Sequence, residues 1–402
     1  MSKSCWINKN AYGCNNVALV AGGKRSRFNL TKIAIISNYA PSLVNFRGEL
    51  IKTLVASGHQ VVTMGPEAGF EARLAALGAE YRQIPLRRTG TNQAQDLHTI
   101  YALVRALREI RPDVVLSYAI KPVIYGSLAA SLAGVNNIYS MITGLGYLFT
   151  GDSTRQRIIY RLISPLYKTA LSKNKAVFFQ NPDDLNLFRN LKLVSAKQRQ
   201  VLINGSGVDT AHFAFSTAPV EPLTFILMAR LIWDKGIAEY MTAARNLKKR
   251  YPQVSFKLLG PYDSNPNAIK PSEVKKWEEE GIITYLGETN DVRPYLAMTS
   301  VFVLPSAYRE GTPRSVLEAM SIGRPIITTD APGCRETVYA GVNGFLVPMK
   351  DAIALEKAME RFILHPELIQ EFGKASRKIA EDKYDVNKVN KVIIEAMGLD
   401  QD

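Results

Sequence analysis

Short runs of apolar and β-branched residues alternate along this chain with longer stretches in which apolar positions recur every three to four residues. In the first half the runs are IAIIS (33–37), VVTM (61–64), DVVLSY (113–118), NIYSMI (137–142), AVFFQ (176–180) and QVLI (200–203), with helical periodicity at 42–57, 96–110 and 122–133. The second half restarts with LTFILMA (223–229), SFKLLG (255–260), ITYLG (283–287), VFVLPS (301–306), PIITTD (325–330) and GFLVP (344–348), then closes in helical patterns at 352–364, 366–382 and 385–397. Such alternation predicts parallel sheets with helices on both faces. A loop-rich stretch at 204–222 separates the two series, so an α/β chain of two Rossmann-like domains is expected. The expected bounds are an N-terminal extension at 1–30, a first domain at 31–205 and a second at 206–384, with the last helix, 385–399, packing back on the first. Open parallel sheets bind ligands beyond the carboxyl ends of their strands, which places the candidate chemistry in the loops after strands.

One such loop reads YREGTPRSVLE, Tyr308 to Glu318. VFVLPS ends as a strand, AYREG is a loop, and TPRSVLEAMSIG reads as a helix with Thr312 as cap, Pro313 at its first position and Gly323 after its end. Glu310 then sits at the strand's carboxyl end and Glu318 in the second helical turn. The amides of Arg314 and Ser315 fall in the first turn, where no intrahelical partner exists, and offer an anion site. Either the two glutamates are solvated loop and helix residues, or they are hydrogen-bond acceptors flanking a phosphate cradle. Arg230 and Lys235, in MARLIWDKG (228–236), follow the first strand of the same half; cations there suit diphosphate oxygens.

These features together resemble family 4 of the retaining glycosyltransferases, which have the two-domain GT-B fold. Glu310 through Glu318 matches that family's E-x7-E motif. Arg230 to Gly236, the LG at 259–260, GETNDVRPYLAMTSVFVLPS (287–306), EAMSIGRPII (318–327) and NGFLVP (343–348) match it in order. The resemblance implies a catalytic set of Glu310, Lys235 and Arg230. It implies donor contacts from Arg230, Lys235, Gly260, Glu310, Gly311, Thr312, Arg314, Ser315 and Glu318. Arg230 and Lys235 would hold the diphosphate of a UDP-sugar, Glu310 would meet the sugar and Glu318 the ribose. It also implies same-face attack with retention, fixed cations standing in for a metal. No metal or other cofactor is expected, since no D-x-D follows a strand.

The first-half loops resemble the subgroup that extends polyprenyl-diphosphate-linked sugars for capsule, O-antigen or protein glycans. The implied acceptor contacts are Asn38 and Arg47 in NYAPSLVNFRGEL (38–50), Lys121 in SYAIKPVIYGSLAA (117–130), and Thr143, Gly144 and Gly146 in SMITGLGYLFTG (140–151). Arg47 is read either as a phosphate contact or as a plain surface residue. The chain departs from the family in lacking a Gly-Gly pair after the first strand and a histidine in the ITGLG loop. His59, His98, His212 and His365 all lie elsewhere, and His59, after Gly58, reads as a cap or a solvent-facing side chain.

Charge adds a direction. The net charge is +14, yet residues 1–220 hold 26 Lys and Arg against 11 Asp and Glu, so the whole excess lies in the first half. Something acidic is expected to approach it. In the helical stretch 153–175, Ile158, Ile159, Leu162, Ile163, Leu166, Ala170 and Leu171 form one stripe, and Arg157, Arg161 and Lys168 lie opposite. That face either is solvated over a core or rests on anionic lipid. The 402 residues hold no apolar run long enough for a membrane span, the first 30 are ordered wrongly for a signal peptide, and Cys5, Cys14 and Cys334 form no metal or disulfide spacing. The expectation is a bacterial cytoplasmic enzyme, peripheral on the inner face of the plasma membrane, whose partners are a nucleotide sugar and a polyprenyl-diphosphate-linked acceptor. A nucleotide-sugar 2-epimerase of the same architecture is the alternative. Nucleic-acid binding is not expected, because neither aromatic-studded basic strands nor a reading helix is present.

Overall fold

The structure is a computed structural model that describes residues 30–86, 93–145, 154–265 and 267–400, with backbone alone at 93 and 154–162. The expected extension at 1–30 lies, but for Leu30, outside the described residues. In chain order the first half comprises β1 (Lys32–Ile36), α1 (Ala40–Asn45), α2 (Gly48–Ala56), β2 (Gln60–Gly65), α3 (Glu71–Ala75), β3 (Glu80–Gln83), α4 (Gln93–Ile110), β4 (Val114–Tyr118), α5 (Ile120–Leu132), β5 (Asn137–Ile142), α6 (Thr154–Leu171), β6 (Ala176–Phe179), α7 (Pro182–Asn190) and β7 (Arg199–Leu202). The second comprises β8 (Thr224–Met228), α8 (Ile237–Arg250), β9 (Ser255–Leu259), α9 (Pro271–Glu279), β10 (Thr284–Tyr285), α10 (Arg293–Ala297), β11 (Val301–Leu304), α11 (Arg314–Ile322), β12 (Ile326–Thr329), β13 (Gly344–Val347), α12 (Ala352–Leu364), α13 (Glu367–Lys383) and α14 (Val386–Met397).

The strands form two all-parallel sheets. One has the order β3-β2-β1-β4-β5-β6-β7 and the other β10-β9-β8-β11-β12-β13. Central strands are buried on both faces: Ile33 to Ile36 and Val301 to Val303 are fully enclosed, as a sheet covered by helices on either side requires. Two sheets of this kind, each with its own helical layers, make the GT-B architecture. Chain order and packing part company at the end. Phe372 and Ala380 of α13 sit in cores of the second sheet, whereas Val389, Ile393, Ile394 and Met397 of α14 join the core of the first. There the Tyr139 hydroxyl donates to the carbonyl of Met397 (3.1 Å) and Arg199 to that of Ala396 (3.2 Å). The chain thus crosses between lobes twice, and the crossings touch where Val208 pairs with Asp385.

Three expectations need correction. The helix expected at 42–57 is two, α1 and α2, parted at Phe46 and Arg47. In the helix after β11 Pro313, not Thr312, takes the cap position, with no side-chain cap bond, and the Thr312 hydroxyl donates instead to the carbonyl of Gln180 in the other lobe (3.1 Å). In α6, Ile163, Ala170 and Leu171 of the expected apolar stripe pack inward, but Leu166 is 48% exposed and Tyr167, left out of the stripe, is buried in its place. Lys168 is exposed, and the side chains of Arg157 and Arg161 lie outside the described residues.

Candidate active site

The carboxyl ends of the two sheets face each other. Gly144, just after β5, forms an antiparallel bridge with Glu310, after β11. Its φ is +100°, and a Cβ there would fall 2.5 Å from the amide nitrogen of Gly311. Only glycine fits both the backbone conformation and the approach.

Within the second lobe two loops are tied together. The amides of Ala307 and Tyr308 donate to the carbonyl of Asp234 (2.9 and 3.0 Å). Gly236, at φ +76°, brings its backbone so near β11 that a Cβ would lie 2.0 Å from the carbonyl oxygen of Pro305. This approach sets Lys235 beside Glu310, and the two form an ion pair. Ser306 donates to the same oxygen of Glu310 at 3.0 Å, and the ammonium lies 5.1 Å from the Tyr308 ring centre. Arg230 pairs with Asp263 at 2.6 Å. Burial pulls the Arg230 guanidinium down, but the hydrogen bond and charge of Asp263, with smaller contributions from Tyr308 and Glu310, hold it above the ordinary arginine value.

Next in the chain, α11 begins. The amides of Val316 and Leu317 donate to the carbonyl of Pro313 (3.1 and 3.3 Å), and those of Arg314 and Ser315 precede them in the first turn. The Arg314 side chain turns back: it donates to Glu318 (3.0 Å) and to the carbonyl of Gly207 (2.8 Å). One oxygen of Glu318 is therefore taken. Burial raises the Glu318 carboxyl, and Arg314 opposes the rise. Gly260 follows β9, where a Cβ would collide with the carbonyl of Ala229, and Gly311 is buried against the Gln180 side chain and the Thr143 carbonyl. Thus the segments that carry Arg230, Lys235, Glu310 and Gly311 and the start of α11, with Arg314, Ser315 and Glu318, lie next to one another beyond the strands' carboxyl ends.

The first-lobe candidates divide. Asn38 lies half-buried in the loop after β1, and Thr143 and Gly144 meet the second lobe directly. Gly146 lies outside the described residues. Arg47 is only 3% exposed: it donates to the Met141 sulfur (2.7 Å), lies 5.1 Å from the Tyr118 ring centre, and its Nε has no partner. Desolvation, with Tyr118 opposing and Arg314 assisting, lowers its pKa from 12.5 to about 10. The surface reading of Arg47 is thereby excluded. Lys121 starts α5 as expected, but Asp96 takes its charge at 3.0 Å. His59 is half-buried, its Nε2 lying 3.4 Å from the Leu399 carbonyl.

Sequence reasoning missed the residues that hold these segments: Asp263 on Arg230, Ser306 on Glu310, and the turn Asn181–Asp184 on residues 309–311. Only the last had a visible signal, Asn-Pro-Asp-Asp directly after a strand, which is a helix-capping pattern.

Two lobes of parallel sheet meeting at their carboxyl ends over fixed cations and first-turn amides define a GT-B glycosyltransferase. A family model described as Glycosyl transferase 4-like domain matches residues 44–205, and one described as Glycosyl transferases group 1 matches 208–379. The chain belongs to this two-part glycosyltransferase family. It is 27% identical over 335 residues to an N,N'-diacetylbacillosaminyl-diphospho-undecaprenol alpha-1,3-N-acetylgalactosaminyltransferase of Campylobacter jejuni, covering 80% of this chain and 86% of that one. It is 24% identical over 281 residues to a UDP-Gal:alpha-D-GlcNAc-diphosphoundecaprenol alpha-1,3-galactosyltransferase of Escherichia coli, covering 66% and 70%. The fold is shared with Anabaena HepE in complex with UDP and glucose, at a TM-score of 0.71 and 17% identity, covering 92% of this chain and 99% of that one.

Proposed function

We propose that this glycosyltransferase moves a hexose or N-acetylhexosamine from a UDP-sugar to a hydroxyl of an undecaprenyl-diphosphate-linked saccharide, with retention, in the assembly of a surface polysaccharide or glycan. The observation that carries the reading is the Lys235–Glu310 pair beside Arg230 and the open first turn of α11. The ammonium has three N–H donors and Glu310 uses one, which leaves two for diphosphate oxygens. The amides of Arg314 and Ser315 supply further donors. Negative charge growing on the departing diphosphate would meet fixed positive ends already in place. Glu310, held at one oxygen by Lys235 and Ser306, would accept from donor-sugar hydroxyls. By this reading the diphosphate oxygen takes the acceptor's proton, and no metal is needed. Both relatives are named for transfer to undecaprenyl-diphosphate-linked sugars, and one for a UDP donor; nothing favours the 2-epimerase alternative.

The acceptor's diphosphate would approach from the first lobe, where Arg47 holds an uncompensated charge near Arg314. No described helix is long and apolar enough to cross a membrane, so the lipid would be met at a surface, with Lys168, Arg157 and Arg161 toward anionic headgroups on the inner face of the bacterial plasma membrane. Charge reversal at these three should then weaken co-sedimentation with anionic vesicles, and unchanged binding would refute the contact. The central experiment is a panel of UDP-sugars incubated with undecaprenyl-diphosphate saccharides and read by mass spectrometry. Mass gain of one sugar residue on the lipid is expected. Turnover of UDP-sugar with no gain on any acceptor would refute the transfer reading.

A further inference from the structure

The loop that carries Glu310 is anchored from the wrong side. Its carboxylate is held within its own lobe, but its main chain is held by the other one. Asn181, immediately before α7, donates through Nδ2 to the carbonyls of Glu310 and Gly311, each at 3.1 Å. Asp184 accepts from Arg309 at 2.6 Å, and its side chain is wholly buried. Gly144 bridges Glu310 and Thr312 donates to Gln180, so four consecutive residues, 309 to 312, each have a partner in the first lobe.

The turn is itself internally braced. Asn181 Oδ1 accepts from the amide of Asp184 at 2.7 Å, capping α7, while Asp184 Oδ2, also 3.1 Å from Nδ2, shares one of that nitrogen's two hydrogens with the loop carbonyls. This fixes the amide's orientation on chemical grounds, because the reverse would set its oxygen against two carbonyls. A helix cap alone does not need asparagine; serine or aspartate serves as well. What asparagine adds is a pair of N–H donors on the far side of the cap. Those donors point at the Glu310 loop.

The Asp184–Arg309 pair works the same way. Two charges can stay out of water only while each is compensated by the other, and a buried charge that loses its partner is strongly disfavoured. If the lobes part, both groups must be rehydrated together and the loop loses its anchor.

We propose that Asn181 and Asp184 are positioning residues that hold the Glu310 loop in its working geometry only while the two lobes are closed, which couples closure to assembly of the donor site. The proposal rests on the reading of Glu310 as a donor contact. It places the coupling in a capping turn of the first lobe, so that this lobe sets the donor-facing carboxylate of the second.

The test is Asn181→Ser, which keeps the helix cap and removes the two donors. In the full-length protein with saturating UDP as probe, amide exchange of residues 306–312 is compared between wild type and variant, with β8 and β11 as internal references. Exchange in the loop is expected to rise at least tenfold while the reference strands and the thermal midpoint stay put. For whichever UDP-sugar supports transfer, kcat should fall about 10- to 100-fold with UDP affinity changed less than about threefold. Arg309→Gln should give the same rise in loop exchange and fall in kcat, with a lower thermal midpoint because Asp184 is left buried without its cation, and the double variant should lose no more kcat than the poorer single one, because both remove one device. Unchanged loop exchange and kcat in Asn181→Ser would show that Asn181 merely caps α7 and would overturn the proposal. Additive losses in the double variant would overturn it also. If no UDP-sugar supports transfer, the donor reading falls by itself, and the exchange comparison still decides whether the turn holds the loop.

Discussion

Lys235 and Glu310 form an ion pair from loops 75 residues apart, and each side chain is only 12% exposed. Neither loop alone would place its charge there: Gly236 lets the first approach Pro305, and the Asp234 carbonyl ties the second in place. Lys235→Ala leaves Glu310 with Ser306 alone, and Glu310→Gln removes the charge Lys235 faces. Each substitution should lower kcat by about two to three orders of magnitude, the range for loss of one preorganised group at a charge-developing centre. The far-UV circular dichroism spectrum should be unchanged, since both side chains lie at a mouth rather than in a core. Activity near that of wild type in either variant would remove the residue from the assigned role.

Arg47 offers a second measurement. Its descent from 12.5 to about 10 corresponds to about 3 kcal/mol against the charged form. Tyr118 offsets this only in part, no carboxylate among the described residues pairs with the guanidinium, and Nε is unpartnered among them. Arg47→Met should therefore raise stability by about 1–3 kcal/mol, as replacement of a buried charge by an apolar side chain of similar length does. If the charge is retained to receive the acceptor's diphosphate, the same variant should lose acceptor affinity at least tenfold. A variant both more stable and fully active would mean that the buried arginine serves no ligand.

How much of this was legible depended on whether a residue's partners are local. The strands β1, β5 and β11 read directly because burial on both faces forces uninterrupted apolar runs such as Ile33–Ile36. By contrast, β3, whose sequence is Glu-Tyr-Arg-Gln, escaped notice: it is an edge strand in which only Tyr81 is buried. The break between α1 and α2 also escaped, because the apolar period runs through it while Arg47 turns into the core. Arg230, Lys235 and Glu310 were visible as charges placed soon after strands, and Glu318 by its spacing from Glu310 in the helix that follows. Asp263 and Asp184 were not, for their meaning comes from loops 33 and 125 residues away, and no local pattern encodes that approach. The pairing of Lys121 with Asp96 was hidden for the same reason.

That pairing makes Lys121 a useful control. Asp96 holds its ammonium at 3.0 Å, and the Tyr125 ring lies 5.9 Å from it. A cation already compensated has little charge to offer a diphosphate. Lys121→Ala should change kcat/KM for the acceptor by no more than about threefold, while the Arg47 variant loses far more. A large, acceptor-specific loss at Lys121 would mean that Asp96 releases it on binding.

Asp184 gives a prediction whose sign is fixed by burial. Desolvation raises its carboxyl above the ordinary aspartate value; Arg309 and Asn181 oppose the rise, and Asp183 adds to it. Tyr167, also buried, feels the Asp184 charge as a smaller cause of its own upward shift. A carboxyl with a folded pKa above its unfolded one binds more proton in the folded state between the two values. Its contribution to stability is then fully present below the unfolded value and is lost as pH rises through the folded one. The stability lost in Asp184→Asn should accordingly be smaller at pH 7 than at pH 4. The Glu310 loop should follow the same sign. Parting the lobes rehydrates Asp184 and returns its carboxyl toward the ordinary value, so protonation favours the closed arrangement, and in wild type the loop's amide exchange, corrected for intrinsic rate, should slow as pH falls through the raised Asp184 value. In Asp184→Asn it should show no such step. Denaturant melts at the two pH values check the first statement and exchange across the interval checks the second. A cost of substitution that grows toward pH 7 would mean that Arg309 outweighs burial and that the carboxyl is lowered, not raised.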